Sequence, residues 1–465
     1  MNGTTIKVEK SLRYLGVILD FRLVWDSHIT YITDRTGLIS QAFSQVAKQK
    51  WGLTSKTLSI VYDGIYIPTI TYGCGTWGWA ISKVHPRRKI ISSQRRMLLM
   101  ISKAYRTTSN VCLQVITRKP PIDLVIEERQ KLFKLKRGEN IKVDTREIKH
   151  QDIEWPSPID CTLPLDKSIL SRDMPMADDT MVIYTDGSVH DNKVGCSFVV
   201  FDTYNEIDNC KFHLHDECTI FQAEMWAIKM AVTYSNENFK NKNIKIYTNS
   251  LSSAQTIKNR NLHPIAEEIR KLIHLSINKY DIEWVKAHQG EMGNEQADLL
   301  AKEAATDDNL PISYNKLTKR TTCNILKKET IRKWQQTWNQ HNEHITYKFI
   351  TDIEQFIHNK WYRPNHHISQ LLTDHGKFAT YLHRFNHCTS NICPSCQMEE
   401  DGTLHYLFRC PTFDRERIEL QTTVQEHGLV WPCRPSDIWT FKDTIEAFDR
   451  LCKQVNFINS NHNFD

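Results

Sequence analysis

Ile183-Tyr184-Thr185-Asp186-Gly187-Ser188 is an apolar run that closes on an acid and a glycine. Taken alone, an Asp-Gly-Ser sequence after a strand is a turn, because these residues tolerate turn backbone angles that others resist. Its companions change that reading. Glu224 sits in the helix-like run Phe221-Gln222-Ala223-Glu224-Met225-Trp226, and a second apolar strand ends in Tyr247-Thr248-Asn249-Ser250. Asp298 follows the loop His288-Gln289-Gly290-Glu291-Met292-Gly293-Asn294-Glu295. Three carboxylates from distant positions thus fall at a strand end or in helices that pack on one sheet. Such a set can hold two divalent ions about 4 Å apart, the arrangement used for phosphodiester hydrolysis. A fourth carboxylate would complete it at Asn249, where an amide stands.

Working outward, residues 181–306 alternate as an α/β domain. Met181 to Thr185, Val194 to Asp202 and Cys210 to His215 read as successive strands. Ile220 to Tyr234 reads as a helix with Phe221, Met225, Ile228 and Val232 inward. A strand at Ile244 to Thr248, a helix at Ile265 to Ile277 and a fifth strand at Ile282 to Val285 follow. Asn294 is the N-cap expected for a last helix through Ala297, Leu300, Ala301 and Ala304.

The flanks read differently. Leu12 to Leu19 has the composition of a buried strand with nothing before it to pair with, so the chain is expected to be a fragment. The rest of residues 1–140 reads as helices, with Ile29, Ile32, Leu38, Leu58, Val61, Ile65, Met97, Leu98 and Ile101 at helical spacing. Arg87, Arg88, Lys89, Arg95, Arg96, Lys103 and Arg106 form a basic face that a phosphate backbone could use. A solvated surface is the more ordinary reading. Residues 141–180 are polar and proline-spotted, as a linker is. Residues 307–465 turn helical again, with Ile331, Trp334 and Trp338 on one stripe, and end in a Cys/His-rich segment.

Composition bounds the chemistry. With 465 residues, 40% hydrophobic and 25% charged, the chain suits several globular domains. A net charge of +6 permits a nucleic-acid partner without demanding one. Thirteen cysteines, an odd number, fit a reducing intracellular compartment rather than a disulfide framework; nucleus and cytoplasm are not distinguished. No run reaches transmembrane length, so no membrane partner is expected.

Residues 181–305 resemble a type 1 ribonuclease H domain of LINE-type (non-LTR) retrotransposon polyproteins. The matching strings are Ile183-Tyr184-Thr185-Asp186-Gly187-Ser188, Phe221-Gln222-Ala223-Glu224, Ile246-Tyr247-Thr248-Asn249-Ser250, Trp284-Val285-Lys286-Ala287-His288 and Gly293-Asn294-Glu295-Gln296-Ala297-Asp298 with Leu300-Ala301-Lys302. The resemblance implies a mixed five-stranded sheet with helices, preceded by a mostly helical region and followed by a helical, zinc-binding tail. It also implies two-metal hydrolysis of the RNA strand of an RNA–DNA hybrid, with Mg²⁺ or Mn²⁺ on Asp186, Glu224, Asn249 and Asp298. His288 would assist proton transfer or product release, and contacts to the 2′-hydroxyl would distinguish RNA from DNA. Asn249 departs from the pattern, which has Asp. One negative charge is lost and an NH₂ group faces a cation site, so weakened metal binding is expected and activity lower by orders of magnitude. The alternative is a nucleic-acid-binding remnant that no longer cleaves.

Arg13-Tyr14-Leu15-Gly16-Val17-Ile18-Leu19-Asp20, Trp25, His28, Tyr72-Gly73 and Trp77 are similar to the palm end and thumb of the reverse transcriptase in the same polyproteins. The catalytic aspartates of that family lie upstream of this segment, so no polymerase site is expected, and the remainder of the polyprotein would be a partner. Asp178-Asp179 imitates the polymerase aspartate pair but stands in the linker, and is read as coincidence. Cys393, Cys396, His405 and Cys410 are spaced C-x2-C-x8-H-x4-C, four ligands suited to tetrahedral Zn²⁺. Cys388 and His387 stand in reserve, and unliganded residues are the competing reading. The segment resembles the Cys/His element of the same polyproteins.

Overall fold

The computed structural model describes residues 9–48, 51–156, 180–202, 205–259, 261–286 and 291–461. They divide into two compact units. One is Leu135–Ile325; the other joins the chain up to Lys134 with the chain from Leu326 onward.

In the first unit, β1 (Thr180–His190), β2 (Lys193–Asp202) and β3 (Asn205–Leu214) form an antiparallel meander. Asp191 and Asn192 join β1 to β2 with φ of 49° and 62°, the signature of a two-residue hairpin turn. Then come α1 (Ile220–Asn238), β4 (Asn243–Thr248), α2 (Leu251–Lys258), α3 (Pro264–His274), β5 (Lys279–Trp284) and α4 (Met292–Thr306). The sheet order is β5-β4-β1-β2-β3, with β5, β4 and β1 parallel. A sixth strand, β6 (Ile312–Tyr314), pairs parallel to β3 beyond the expected end of the domain.

Alternation along the strands decides which helix lies where. Ile183, Ile246 and Ile282 stand in register on neighbouring strands, fully buried, in one core with Met225, Ile228 and Val232 of α1. Val182, Val199 and Phe201 point to the opposite face, against Ala297 and Leu300 of α4. The sheet is therefore sandwiched, with α1 on one face and α4 on the other. Asn294 is not the cap of α4. The helix starts at Met292, with Glu291 before it accepting the Asn294 and Glu295 amides at 3.0 Å. Gly293 lies flat on the Tyr184 ring, where any Cβ would collide.

The segment expected to be a linker is partly built. Ile141–Val143 and Arg146–Ile148 pair as a hairpin, and Ile153–Glu154 pairs parallel with Leu317–Thr318 from beyond β6. Both pieces are too short to show a hydrophobic period. The Glu154 carboxylate accepts from Tyr314 Oη at 2.8 Å and Gln222 Nε2 at 2.9 Å. Residues 157–179, with Asp178 and Asp179, lie outside the described residues.

In the second unit, Leu12 to Leu19 is not one buried strand. It folds on itself, Ser11–Tyr14 against Val17–Asp20, around Leu15 and Gly16 at φ of 45° and 82°. The missing partner is supplied locally, and Leu12 and Tyr14 are exposed. Nor are the basic residues near 87–106 merely a solvated face. Arg87 pairs with Asp123 at 2.6 Å, and Lys89 donates to Thr30 at 2.9 Å. Arg95 donates to the Thr108 carbonyl at 2.8 Å, and the buried Lys103 donates to the Lys48 and Leu53 carbonyls. These cations staple the helix Val84–Ser102 to its surroundings. One core gathers Cys112, Val115 and Ile116 with Trp334, Trp338, Phe349, Leu407 and Phe448, so both ends of the chain contribute to it.

Candidate functional site

Asp186 lies within β1, not at its end: the strand runs on to His190 as half of the hairpin with β2. The parallel pairing with β4 does stop there, at Thr185 opposite Thr248, and this brings Asn249 alongside. Asn249 Nδ2 donates to Asp186 Oδ1 at 2.5 Å. The Asn249 backbone is held by Trp284 Nε1, which donates to its carbonyl at 3.0 Å, and by the Ser250 cap of α2.

Glu224 is carried by the start of α1. Thr219 and Gln222 form a reciprocal capping box there, and Gln222 also reaches Glu154 and the Lys316 carbonyl. Gly187 lets the helix approach: a Cβ at that position would stand 2.6 Å from the Glu224 nitrogen. Asp298 comes from α4. Ser197, which faces Asp186 across β1 and β2, donates to the Ala297 carbonyl at 2.6 Å and so pins the helix one residue before the acid. Lys302 Nζ donates to Asp298 Oδ2 at 2.6 Å. Sequence reasoning singled out neither Ser197 nor Glu154, because both act through strand register and chain reversal. His288 lies outside the described residues.

The electrostatics follow from this placement. Burial pushes the Asp186 carboxyl up to about 7; the Asn249 hydrogen bond and Lys302 oppose the rise, while Asp298 adds to it. Burial, reinforced by Asp186, holds Glu224 well above the usual carboxylate range against the hydrogen bond from Gly187. Glu224 Oε2 is buried without a hydrogen-bond partner. Three hard carboxylates, one with an orphaned oxygen, are a donor set that fits Mg²⁺ or Mn²⁺. They are spread more widely than a single-ion cage. Among the described residues, only two groups of potential ligands have all their ligand atoms within 4.8 Å of one another, and the acids are in neither.

One of those groups is Cys393, Cys396, His405 and Cys410. Cys393 Sγ and Cys410 Sγ are 3.9 Å apart, and Cys396 Sγ lies 3.2 Å from His405 Nε2. Tetrahedral zinc, with bonds of about 2.3 Å to sulfur and 2.0 Å to nitrogen, sets S···S near about 3.8 Å and S···N near about 3.5 Å. Glu399 approaches His405 Nδ1 at 3.3 Å and fixes the ring with Nε2 toward the sulfurs. The four therefore fit the ion. Cys388 does not join them; its thiol donates to the Ala379 and Ser390 carbonyls.

Residues 178–306 match the RNase H family. The chain is 31% identical over 136 residues to the putative 115 kDa protein in type-1 retrotransposable element R1DM of Drosophila melanogaster, covering 29% of this chain and 13% of that protein. It is 28% identical over 143 residues to the Pol polyprotein of type-1 retrotransposable element R1 4 of Nasonia vitripennis, covering 31% of this chain and 36% of that protein. Both relatives are thus much longer than the part this chain spans. The solved ribonuclease H1 of Halobacterium salinarum is 19% identical, with 27% of this chain and 96% of that chain covered at a TM-score of 0.24. The family match, not that superposition, assigns the fold. Residues 178–306 are a ribonuclease H domain, in a chain homologous to the Pol polyproteins of R1-type non-LTR retrotransposons.

Proposed function

We propose that this domain hydrolyses the RNA strand of RNA–DNA hybrids as part of a retrotransposon polyprotein, at a rate limited by Asn249. The supporting observation is the gathering of Asp186, Glu224 and Asp298 around β1, with Glu224 Oε2 buried and unpartnered. Bound Mg²⁺ or Mn²⁺ would supply an activated water and positive charge at the scissile phosphate. Asp186, Glu224 and Asp298 are the residues to hold it, and His288 is the candidate for moving a proton. Asn249 acts against them. Its amide donates to Asp186, so a carboxylate oxygen needed by a cation is already engaged, and a fourth negative charge is missing. The same observation supports a second reading, a domain that binds hybrid without cleaving it. Cys393, Cys396, His405 and Cys410 are proposed to hold a structural Zn²⁺.

The test is an end-labelled RNA–DNA hybrid incubated with the full chain in Mg²⁺ and in Mn²⁺. Slow cleavage is expected, silence from Asp186→Asn, and a rise of about tenfold or more for Asn249→Asp, since one oriented charge at such a site is worth roughly 1–3 kcal/mol. Hybrid binding with no cleavage by either the native chain or Asn249→Asp would select the second reading. Equal rates for the native chain and Asn249→Asp would remove the role given to the amide.

A further inference from the structure

We propose that His341, Glu343 and His344 form a second transition-metal site, separate from the cysteine cluster and from the ribonuclease H acids, that takes a borderline divalent ion such as Zn²⁺ or Ni²⁺. The three lie on the turn between the helices Lys319–Asn339 and Ile345–Phe349. They are the other group whose ligand atoms all fall within 4.8 Å of one another. His341 Nδ1 stands 3.4 Å and His344 Nε2 3.5 Å from the same oxygen, Glu343 Oε1.

Those distances decide between two accounts of the cluster. A charge-assisted N–H···O⁻ hydrogen bond closes to about 2.7–2.9 Å. An ion bound tetrahedrally through bonds of about 2.1 Å holds its ligand atoms about 3.4 Å apart. The His341–Glu343 contact is thus at most a long, weak hydrogen bond, while both nitrogens stand from the carboxylate at the separation of ligands that share a cation, and all three ligand atoms lie within 4.8 Å of one another. Two imidazoles and one carboxylate select zinc-like and nickel-like ions over magnesium, which prefers oxygen.

The scaffold is fixed from beneath, although the ligands themselves are solvent-accessible. The His341 amide donates to the Trp338 carbonyl at 2.9 Å, and Tyr347 caps back to His344 at 2.9 Å. Trp338 is buried and its Nε1 donates to the Ile350 carbonyl at 2.7 Å, while Thr346 Oγ1 reaches the Leu372 carbonyl. Three protein ligands leave at least one coordination position open. Glu343 and His344 also line a cavity of about 410 Å³, giving that position room for water or another donor.

The experiment is a calorimetric titration of the full chain with Zn²⁺, with the cysteine cluster already loaded and excess Mg²⁺ present. The native chain is expected to take one further equivalent of Zn²⁺. His341→Ala/His344→Ala should take none, with an unchanged melting temperature, since both side chains sit outside the core. Glu343→Gln, which keeps shape but loses charge, should weaken the additional binding about tenfold. No further equivalent in the native chain, or the same further equivalent in the double variant, overturns the proposal. Neither result bears on hybrid cleavage, so this site stands or falls apart from the ribonuclease H reading.

Discussion

Asn249 and Lys302 each give a site carboxylate a proton donor from the protein itself, Asp186 in one case and Asp298 in the other. Two of the three acids are thereby stabilised without a cation, which makes the metal-free domain tolerable to fold. Asp186 titrates from 3.8 unfolded to about 7 folded, so between those values the native state holds a proton that the unfolded chain has released. Stability must then fall as pH rises through that window. Thermal melts in chelator from pH 5 to 8 should show this decline for the native chain and a shallower one for Asp186→Asn. Asn249→Asp puts a second carboxylate against Asp186 and should melt lower at pH 8 by about 3–8 °C, recovering when Mg²⁺ is added. Identical melts for the native chain and Asn249→Asp, with and without Mg²⁺, would sink the argument. The acid positions themselves were legible as strings beside apolar runs. The amide clasp and the Ser197 anchor were not, because each depends on which residue faces which across a strand.

At the scale of elements, the ribonuclease H sheet was read from its alternation, whereas the short strands flanking residues 181–306 were not. Ile153–Glu154, Ile312–Tyr314 and Leu317–Thr318 have two or three residues each, too few for any period, and what makes them strands is a partner far away in sequence. Their importance runs through Glu154, which ties Tyr314 to Gln222 and hence to the first turn of the helix that carries Glu224. Glu154→Ala leaves the buried Tyr314 hydroxyl without its acceptor and takes one of two acceptors from the Gln222 amide, which keeps the Lys316 carbonyl, a loss of about 1–3 kcal/mol. Hydrogen exchange of residues 220–224 should accelerate in that variant. Unchanged exchange there would mean that the capping box holds the helix alone. The hairpin at residues 11–20 teaches a related lesson: Leu15-Gly16 is a turn signal inside an apolar run, and the run concealed it.

At the scale of the molecule, the two ends of the chain share a core and the ribonuclease H domain is an insertion between them. No local pattern in the sequence announces such a long-range closure. Ending the chain after Ile325 should therefore strip the cover from Cys112, Val115 and Ile116. Limited proteolysis is expected to cut within Asn110–Thr117 quickly, while residues 180–306 stay resistant. Persistent protection of both regions would show that the N-terminal helices stand alone. The insertion is also closed where the chain passes in and out, by Ile153–Glu154 running parallel to Leu317–Thr318. Because the strands are parallel, a pull transmitted along the chain from both sides grips them at opposite ends. The clasp is then loaded in shear, all its hydrogen bonds at once, instead of being peeled open bond by bond. Mechanical tension would load this two-residue pair first, leaving the sheet behind it, and the acids around β1, undisturbed until the clasp gives way.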